Sequence, residues 1–343
     1  MFQLTHESCI YIGCPPMLES GGAELLHQLC FSLKQKGCRV FMFYDCSQEV
    51  CENPVPERFR IYETKYTRQI EDQSENLLIL PESLINSLRN YHRIRKCIWW
   101  LGVNHYLLPT ELHSYKYLRV AGHYIFKWLH LRKIVTFRDI RRDKTANWAQ
   151  CWYAVGFLER KKLHNVAYLS DYIANTFIDS YVQRTAGFTD TGRKNIVLYN
   201  PKRNTRYIQK LIKRDSSIHF VAIENMTRTQ VMEAMAEAKL YVDFGSHPGK
   251  DRMPREAALL GCCILTSTLG SADFFDDVPI MSEYKFERTN RNIDCVLQKI
   301  HYILEHYSEE IKKYDKYREF ILQEKQRFNE DIDKLFLLTE EKQ

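Results

Sequence analysis

No apolar run in the 343 residues approaches the ~20 that a membrane-spanning helix needs. The opening residues, Met1-Phe2-Gln3-Leu4-Thr5-His6-Glu7, carry neither a basic stretch nor a long apolar one, so a secretory signal is not expected. The eleven cysteines include no Cys-x-x-Cys pair and no Cys/His zinc spacing. They lie mostly in apolar surroundings, as at Cys9 and Cys262-Cys263, which reads as reduced, buried thiols of a cytosolic protein. No Gly-x-Gly-x-x-Gly follows the first apolar run, which weakens a dinucleotide dehydrogenase. Nor is Gly245-Ser246-His247-Pro248-Gly249-Lys250-Asp251 a P-loop: three residues separate its glycines instead of four, and Asp251 follows Lys250 where Ser or Thr must meet magnesium. An acidic metal-binding motif is missing too, and the two halves show no sequence repeat.

What is present is ordinary globular composition, 45% apolar and 27% charged, in a chain long enough for two domains with a core each. The net charge of +6 suits phosphate-bearing ligands, nucleic acid or an anionic membrane surface without choosing among them.

Apolar runs and helical stripes alternate along the chain. Residues 9–12, 39–44, 77–80, 96–101 and 165–169 read as strands. A turn-rich stretch through Gly21-Gly22 leads into a helix near Ala23, with Leu25, Leu29 and Leu33 on one face and Gly37 as its stop. A helix is expected after Pro81, and another capped by Ser170 with Ile173, Phe177 and Tyr181 inward. The periodicity lapses over residues 185–192, where a linker is placed. A second series follows, with strands at 195–199, 219–223, 240–244 and 262–265. Thr227-Arg228-Thr229-Gln230 has capping-box spacing, and Pro254 suits a helix's first turn. The expected class is therefore α/β: two doubly wound Rossmann-like domains facing a cleft, at 1–186 and 193–284, with helices over 285–343 packing on or joining them. In those helices Ile293, Val296, Leu297, Ile300, Ile303 and Leu304 form one stripe, and Tyr314, Tyr317, Ile321, Phe328 and Leu335 a looser one.

Chemistry gathers where such sheets bind ligands, at strand carboxyl ends. Residues 244–261 leave a strand through a Gly/Pro loop carrying His247, Lys250, Asp251, Arg252 and Arg255, then enter a helix whose first turn is expected to hold Glu256. Glu256 reads either as a helix-capping acid or as a ligand-binding carboxylate, and the density of charge in the loop favours the second. Lys202 and Arg203 follow Asn200-Pro201 at another strand's end, as solvated cations or as partners of a diphosphate. Gly21 and Gly22 allow close backbone approach to a ligand, or form a plain turn. Asn104 and His105 end the strand at Trp99-Trp100 and could face an acceptor.

Residues 116–144 interleave aromatics with Lys116, Arg119, Lys127, Arg132, Lys133, Arg138, Arg141, Arg142 and Lys144, against Asp139 and Asp143. This stretch suits an anionic bilayer, a lipid-phosphate acceptor or a plain basic surface. No RNA-binding motif accompanies it, so no nucleic acid partner is expected.

Glu256-Ala257-Ala258-Leu259-Leu260-Gly261, then Cys262-Cys263-Ile264-Leu265-Thr266 and Gly270-Ser271, resembles the core of the glycosyltransferase group 1 family, the retaining GT-B glycosyltransferases. Gly21-Gly22-Ala23-Glu24 resembles the family's N-terminal Gly-Gly turn, and Leu198-Tyr199-Asn200-Pro201-Lys202-Arg203 the place of its diphosphate-binding cations. The chain departs from the family at Pro248, which stands where the first of two glutamates with seven residues between them belongs.

The resemblance implies transfer of a hexosyl group from a nucleotide sugar to a hydroxyl acceptor, a glycan or lipid-linked molecule, in surface glycan biosynthesis. It implies no cofactor and no metal. Glu256 inherits the ribose-binding role, and Lys202 with Arg203 the diphosphate. His247 and Asp251 are the nearest heirs to the sugar-facing role. Gly249, Arg252, Gly270 and Ser271 join Gly21 and Gly22 as donor-binding positions, with Asn104 and His105 on the acceptor side. A sugar-nucleotide epimerase or hydrolase of the same fold, and a donor-binding protein without catalysis, are the alternatives. The expected location is the cytoplasm, with contact to the inner face of a membrane.

Overall fold

The computed structural model describes residues 1–45, 52–107, 135–182, 192–203 and 205–338. The chain divides into two compact units, one of Met1–Asp171 with Arg327–Gln343, the other Tyr172–Gln326. The linker expected at 185–192 lies almost wholly outside the described residues.

The first unit is built on a seven-stranded parallel sheet. Its strands are β2 (Cys9–Gly13), β3 (Arg39–Phe43), β4 (Tyr66–Thr67), β5 (Leu77–Pro81), β6 (Arg95–Trp100), β7 (Ala146–Ala149) and β8 (Ala167–Tyr168), in the order β4-β3-β2-β5-β6-β7-β8. β5 is buried at every position, because a parallel sheet covered on both faces needs continuous apolar runs rather than alternation. The strand order reverses between β2 and β5, the point at which doubly wound sheets open a crevice. The helix Gly21–Gln35 crosses from β2 to β3, capped by Ser20, whose hydroxyl accepts from the Ala23 N–H, and ended by Gly37 at φ 82°. A separate parallel pair joins β1 (Phe2–Leu4) to β14 (Phe336–Leu338), with Phe2 and Phe336 packed on Trp148.

The second unit carries a five-stranded parallel sheet in the order β10-β9-β11-β12-β13. These are β9 (Lys194–Tyr199), β10 (His219–Ala222), β11 (Ala238–Asp243), β12 (Cys263–Ser267) and β13 (Lys285–Phe286). Its order reverses between β9 and β11. The helix Arg228–Glu237 starts on the expected capping box, Thr227 and Gln230 each bonding the other's backbone N–H. Val296, Leu297, Ile300, Ile303 and Leu304 of the helix Ile293–Glu305 are buried, as their stripe predicts, and Tyr314, Tyr317 and Ile321 join the same core.

The helix expected after Pro81 is present as a 3-10 helix, Glu82–Asn90, with Ile85 and Leu88 buried. Two local expectations need correction. Ser170 does not cap a helix: Tyr172, Ile173 and Ala174 run on buried outside regular structure, and the helix begins at Asn175. Of the run 165–169 only Ala167–Tyr168 pairs as a strand. No described helix is long and apolar enough to cross a membrane.

Candidate functional site

In the second unit, the loops that leave β9 and β11 meet at the reversal of strand order. β9 ends at Tyr199, which lies opposite Val242 of β11, so both chains exit the sheet side by side. Asn200 organises the first exit. Its side-chain oxygen accepts the Lys202 N–H at 2.9 Å, and its carbonyl accepts the Arg203 N–H at 2.9 Å. Lys202 is thereby turned outward and exposed, while Arg203 is turned toward the second loop. The Asn200 amide also reaches the Met253 sulfur at 3.0 Å, tying this turn to the helix Arg252–Leu259.

The second exit is a network of buried charge. Arg203 forms an ion pair with Asp251, and Asp251 Oδ2 lies 2.6 Å from His247 Nδ1. The other ring nitrogen of His247 lies 3.2 Å from the Asp243 carbonyl oxygen and 3.6 Å from its carboxylate. Asp243 itself accepts from the Gly245 N–H at 2.9 Å and from the Tyr241 hydroxyl at 3.3 Å. Burial works against charge on every one of these groups, and neighbours decide the outcome. Burial opposes the His247 imidazolium, but Asp243 and Asp251 overcome it and hold its pKa above the ordinary value. Asp251 is held below the carboxylate range, against its burial, by His247 and Arg203. At Asp243 burial wins, and its pKa is raised. Arg203 is held above its ordinary value, against burial, by Asp251 and Asp243.

His247 sits at φ 41°, in the left-handed region that a non-glycine residue occupies at a cost of order 1–3 kcal/mol. The β12 side pins the loop in that shape. Ser271 donates its N–H to the His247 carbonyl at 2.9 Å and its hydroxyl to the Gly249 carbonyl at 2.8 Å. Ser267 donates to the Gly245 carbonyl at 2.7 Å, and Arg288 to the Phe244 carbonyl at 3.0 Å. Gly270, at φ 59°, passes so close that a Cβ there would overlap the carbonyl oxygens of Ser246 and His247. Gly270 and Ser271 thus hold the 245–249 loop, and both polar groups of Ser271 are occupied in doing so.

The other cations of the motif are fastened within the unit. Lys250 and Arg255 are both buried and both lie 2.7 Å from the buried carboxylate of Glu324. Arg255 also donates to the carbonyls of Lys250 and Asp251, each at 3.1 Å. Arg252 donates to the Tyr172 carbonyl at 3.3 Å. Asp251 is the N-cap residue of the helix, but its carboxylate is turned to His247 and Arg203 instead of the helix amides. The helix begins at Arg252, so Glu256 is its fifth residue and stands half-buried in the second turn, not in the first as the sequence suggested. Asp243, His247 and Asp251 bring potential metal-ligand atoms within 4.8 Å of one another. Those atoms are already engaged by each other and by Arg203, a cation that a metal would have to displace.

The first unit shows the same logic at its own carboxyl ends. Gly21 and Gly22 open the helix Gly21–Gln35, Gly21 exposed and Gly22 facing Leu101, whose side chain would lie 3.5 Å from a Cβ. Glu24 of that motif is buried and bound to Arg58 at 2.7 Å and Tyr62 at 3.0 Å, a structural duty. Asn104 and His105 lie on the one-turn helix Asn104–Leu107 after β6. His105 Nδ1 is 3.2 Å from Glu82, a buried carboxylate after β5 that also accepts the N–H groups of Leu101 at 2.8 Å and Gly102 at 3.0 Å. Glu82, Asp243, Ser267 and Glu324 were missed in the sequence. The signal for Glu82 and Asp243 is a carboxylate directly ending a fully apolar run.

Of the basic aromatic stretch, Lys116, Arg119, Lys127, Arg132 and Lys133 lie outside the described residues. Phe137 is packed on Tyr106 at 4.6 Å and Trp100 at 5.9 Å, so this aromatic belongs to the core.

No protein-family model and no curated protein matches the sequence. Solved structures do. Sucrose-phosphate synthase from Thermosynechococcus elongatus is similar with a TM-score of 0.61 at 13% identity, over 96% of this chain and 98% of that one. Anabaena HepE in complex with UDP gives 0.59 at 11% identity, over 96% and 99%. A glycosyltransferase from Rickettsia africae gives 0.56 at 11% identity, over 96% of both chains. With two parallel doubly wound sheets and this full-length likeness, the chain has the GT-B fold.

Proposed function

We propose that the protein is a glycosyltransferase that takes a hexosyl group from a nucleotide sugar and gives it to a hydroxyl acceptor. The observation that carries this reading is the meeting of the Lys202–Arg203 turn with the His247–Asp251 loop at the strand reversal of the second unit. Sheets of this kind bind their ligands there. The fold-mates include HepE in complex with UDP, UDP-glucose, and UDP with glucose, which makes uridine diphosphate the first ligand to try.

In this reading Glu256 takes the ribose hydroxyls and Lys202 the diphosphate. Arg203 joins Lys202, with Asp251 orienting its guanidinium so that the remaining N–H groups face the phosphates. The leaving nucleoside diphosphate gains charge as the glycosidic bond breaks, and cations already fixed in place stabilise that charge more than the ground state. The cations do this without a metal. His247, buried and bonded through both ring nitrogens, serves the reaction by shaping the 245–249 loop. Configuration is retained, and the acceptor meets Asn104 and His105 in a surface glycan pathway, at a membrane's inner face.

A thermal-shift panel of nucleoside diphosphates tests the donor reading, because a ligand that binds only the folded state raises its stability by mass action. Uridine diphosphate is expected to raise the Tm, and no shift with any nucleoside diphosphate contradicts the reading. Turnover of UDP-glucose with and without acceptor then separates transfer from epimerisation or hydrolysis. EDTA is expected to leave the rate unchanged.

A further inference from the structure

At the amino end of the seven-stranded sheet, beneath the starts of β6 and β7, lies a cavity of about 940 Å³. It is at the opposite end of these strands from Glu82 and His105. Six basic side chains line it, Arg89, Arg93, Arg95, Lys96, Arg142 and Lys144, against two carboxylates, Asp139 and Asp143. That excess of four compares with +6 for the entire chain.

The two carboxylates are already shared out. Arg89 lies 3.4 Å and Arg142 3.3 Å from Asp139, and Arg142 is 2.9 Å from Asp143. Arg95 is spent on backbone carbonyls, those of Gln3 at 2.6 Å and Asn76 at 3.3 Å among them. Among the described residues no carboxylate pairs with Arg93, Lys96 or Lys144. The backbone presents two of these three on firm ground. Asp72 accepts the N–H groups of His92, Arg93 and Ile94 at 2.8, 2.9 and 2.8 Å, which fixes the turn that carries Arg93. Lys144 stands at φ 50° just past the helix Phe137–Arg142, a left-handed position where glycine is the easy choice. A lysine there is strained by roughly 1 kcal/mol, and its charge adds to an already basic rim.

Like charges brought together around one concavity repel unless an anion joins them. We propose that this cavity is a second anion site, distinct from the donor site, and that it takes a ligand bearing more than one phosphate group, held by Arg93, Lys96 and Lys144. The inference does not rest on the donor reading, since every residue it uses belongs to the first unit. The phosphates can come from a free polyphosphorylated molecule or from a lipid headgroup, and the chemistry of recognition is the same.

The test uses the full chain and the variant Arg93→Gln/Lys96→Gln/Lys144→Gly, whose changes are on the rim and whose glycine suits the backbone at 144. Calorimetry with inorganic tripolyphosphate is expected to show binding that weakens as salt is raised, and the triple variant to lose at least about tenfold in affinity. Thermal unfolding of the variant is expected at or slightly above the parent's, because glycine relieves the strain at 144, and its uridine diphosphate binding is expected to be unchanged. Co-sedimentation with vesicles containing a phosphatidylinositol bisphosphate, displaced by tripolyphosphate and absent with phosphatidylcholine vesicles, assigns a lipid source. Tripolyphosphate binding without sedimentation assigns a soluble one. Equal tripolyphosphate affinity in parent and variant, or no binding of either probe by the parent, overturns the proposal. Failure of uridine diphosphate to bind the parent counts against the donor reading alone.

Discussion

Arg203 and Asp251 are 48 residues apart in sequence and form one ion pair at the carboxyl ends of β9 and β11. The same carboxylate holds His247 at 2.6 Å, so one acid serves two cations in a mostly buried place. Removing it leaves Arg203 without its ion-pair partner and His247 with Asp243 alone. Breaking a buried pair from one side costs several kcal/mol, more than the pair contributes when intact. Asp251→Asn is expected to lower unfolding stability by roughly 3 kcal/mol, read from urea midpoints at constant m. A loss below about 1 kcal/mol, the value of a surface pair, contradicts a structural role for this carboxylate.

His247 gives the site a pH signature. Its pKa is raised in the fold from an ordinary 6.5. A group raised on folding contributes fully below its unfolded pKa, and that contribution is lost as pH climbs through the folded value. Asp251 is lowered from 3.8, so its own contribution stays constant above that pH and does not blur the window. His247→Asn tolerates the left-handed backbone and removes the imidazolium. The gap in Tm between parent and variant is expected to be widest below pH 6.5 and to shrink as pH rises above it. A gap independent of pH means that the imidazole is neutral in the fold.

Gly270 is the tightest steric constraint in the site. It lies at φ 59° with the Ser246 and His247 carbonyl oxygens where a Cβ would stand. Gly270→Ala is expected to cost 2 kcal/mol or more, on the order of strain at a glycine-only position, and to weaken nucleoside diphosphate binding by moving the loop. An alanine variant with the parent's stability and affinity shows that the loop is free to shift.

Much of the fold was legible because parallel strands announce themselves as short apolar runs. Residues 9–12, 39–44 and 240–244 became β2, β3 and β11 almost unchanged. Thr227 and Gln230 marked a helix start by a local reciprocal bond, and local bonds are what a sequence shows. Three residues of context could not separate a 3-10 helix from an α-helix after Pro81, since Ile85 and Leu88 suit both. The candidate site was legible in its segments and not in its wiring. Lys250 and Arg255 looked like ligand-binding cations because Glu324, 69 residues beyond Arg255, is what neutralises them. Ser271 looked like a donor contact because its bonds to His247 and Gly249 depend on how β12 lies beside β11.

The central claim is that Lys202 and Glu256 hold one nucleotide at the carboxyl ends of β9 and β11. Lys202 is exposed on a turn that Asn200 ties to the helix bearing Glu256, so neither variant should disturb the core. Isothermal calorimetry of uridine and uridine diphosphate on the parent, Lys202→Ala and Glu256→Gln is the most direct measurement. Lys202→Ala is expected to weaken the diphosphate strongly and uridine hardly at all. Glu256→Gln is expected to weaken both by about tenfold or more, the value of a lost charge-assisted hydrogen bond. Uridine diphosphate binding in both variants equal to the parent's contradicts the site and the function built on it.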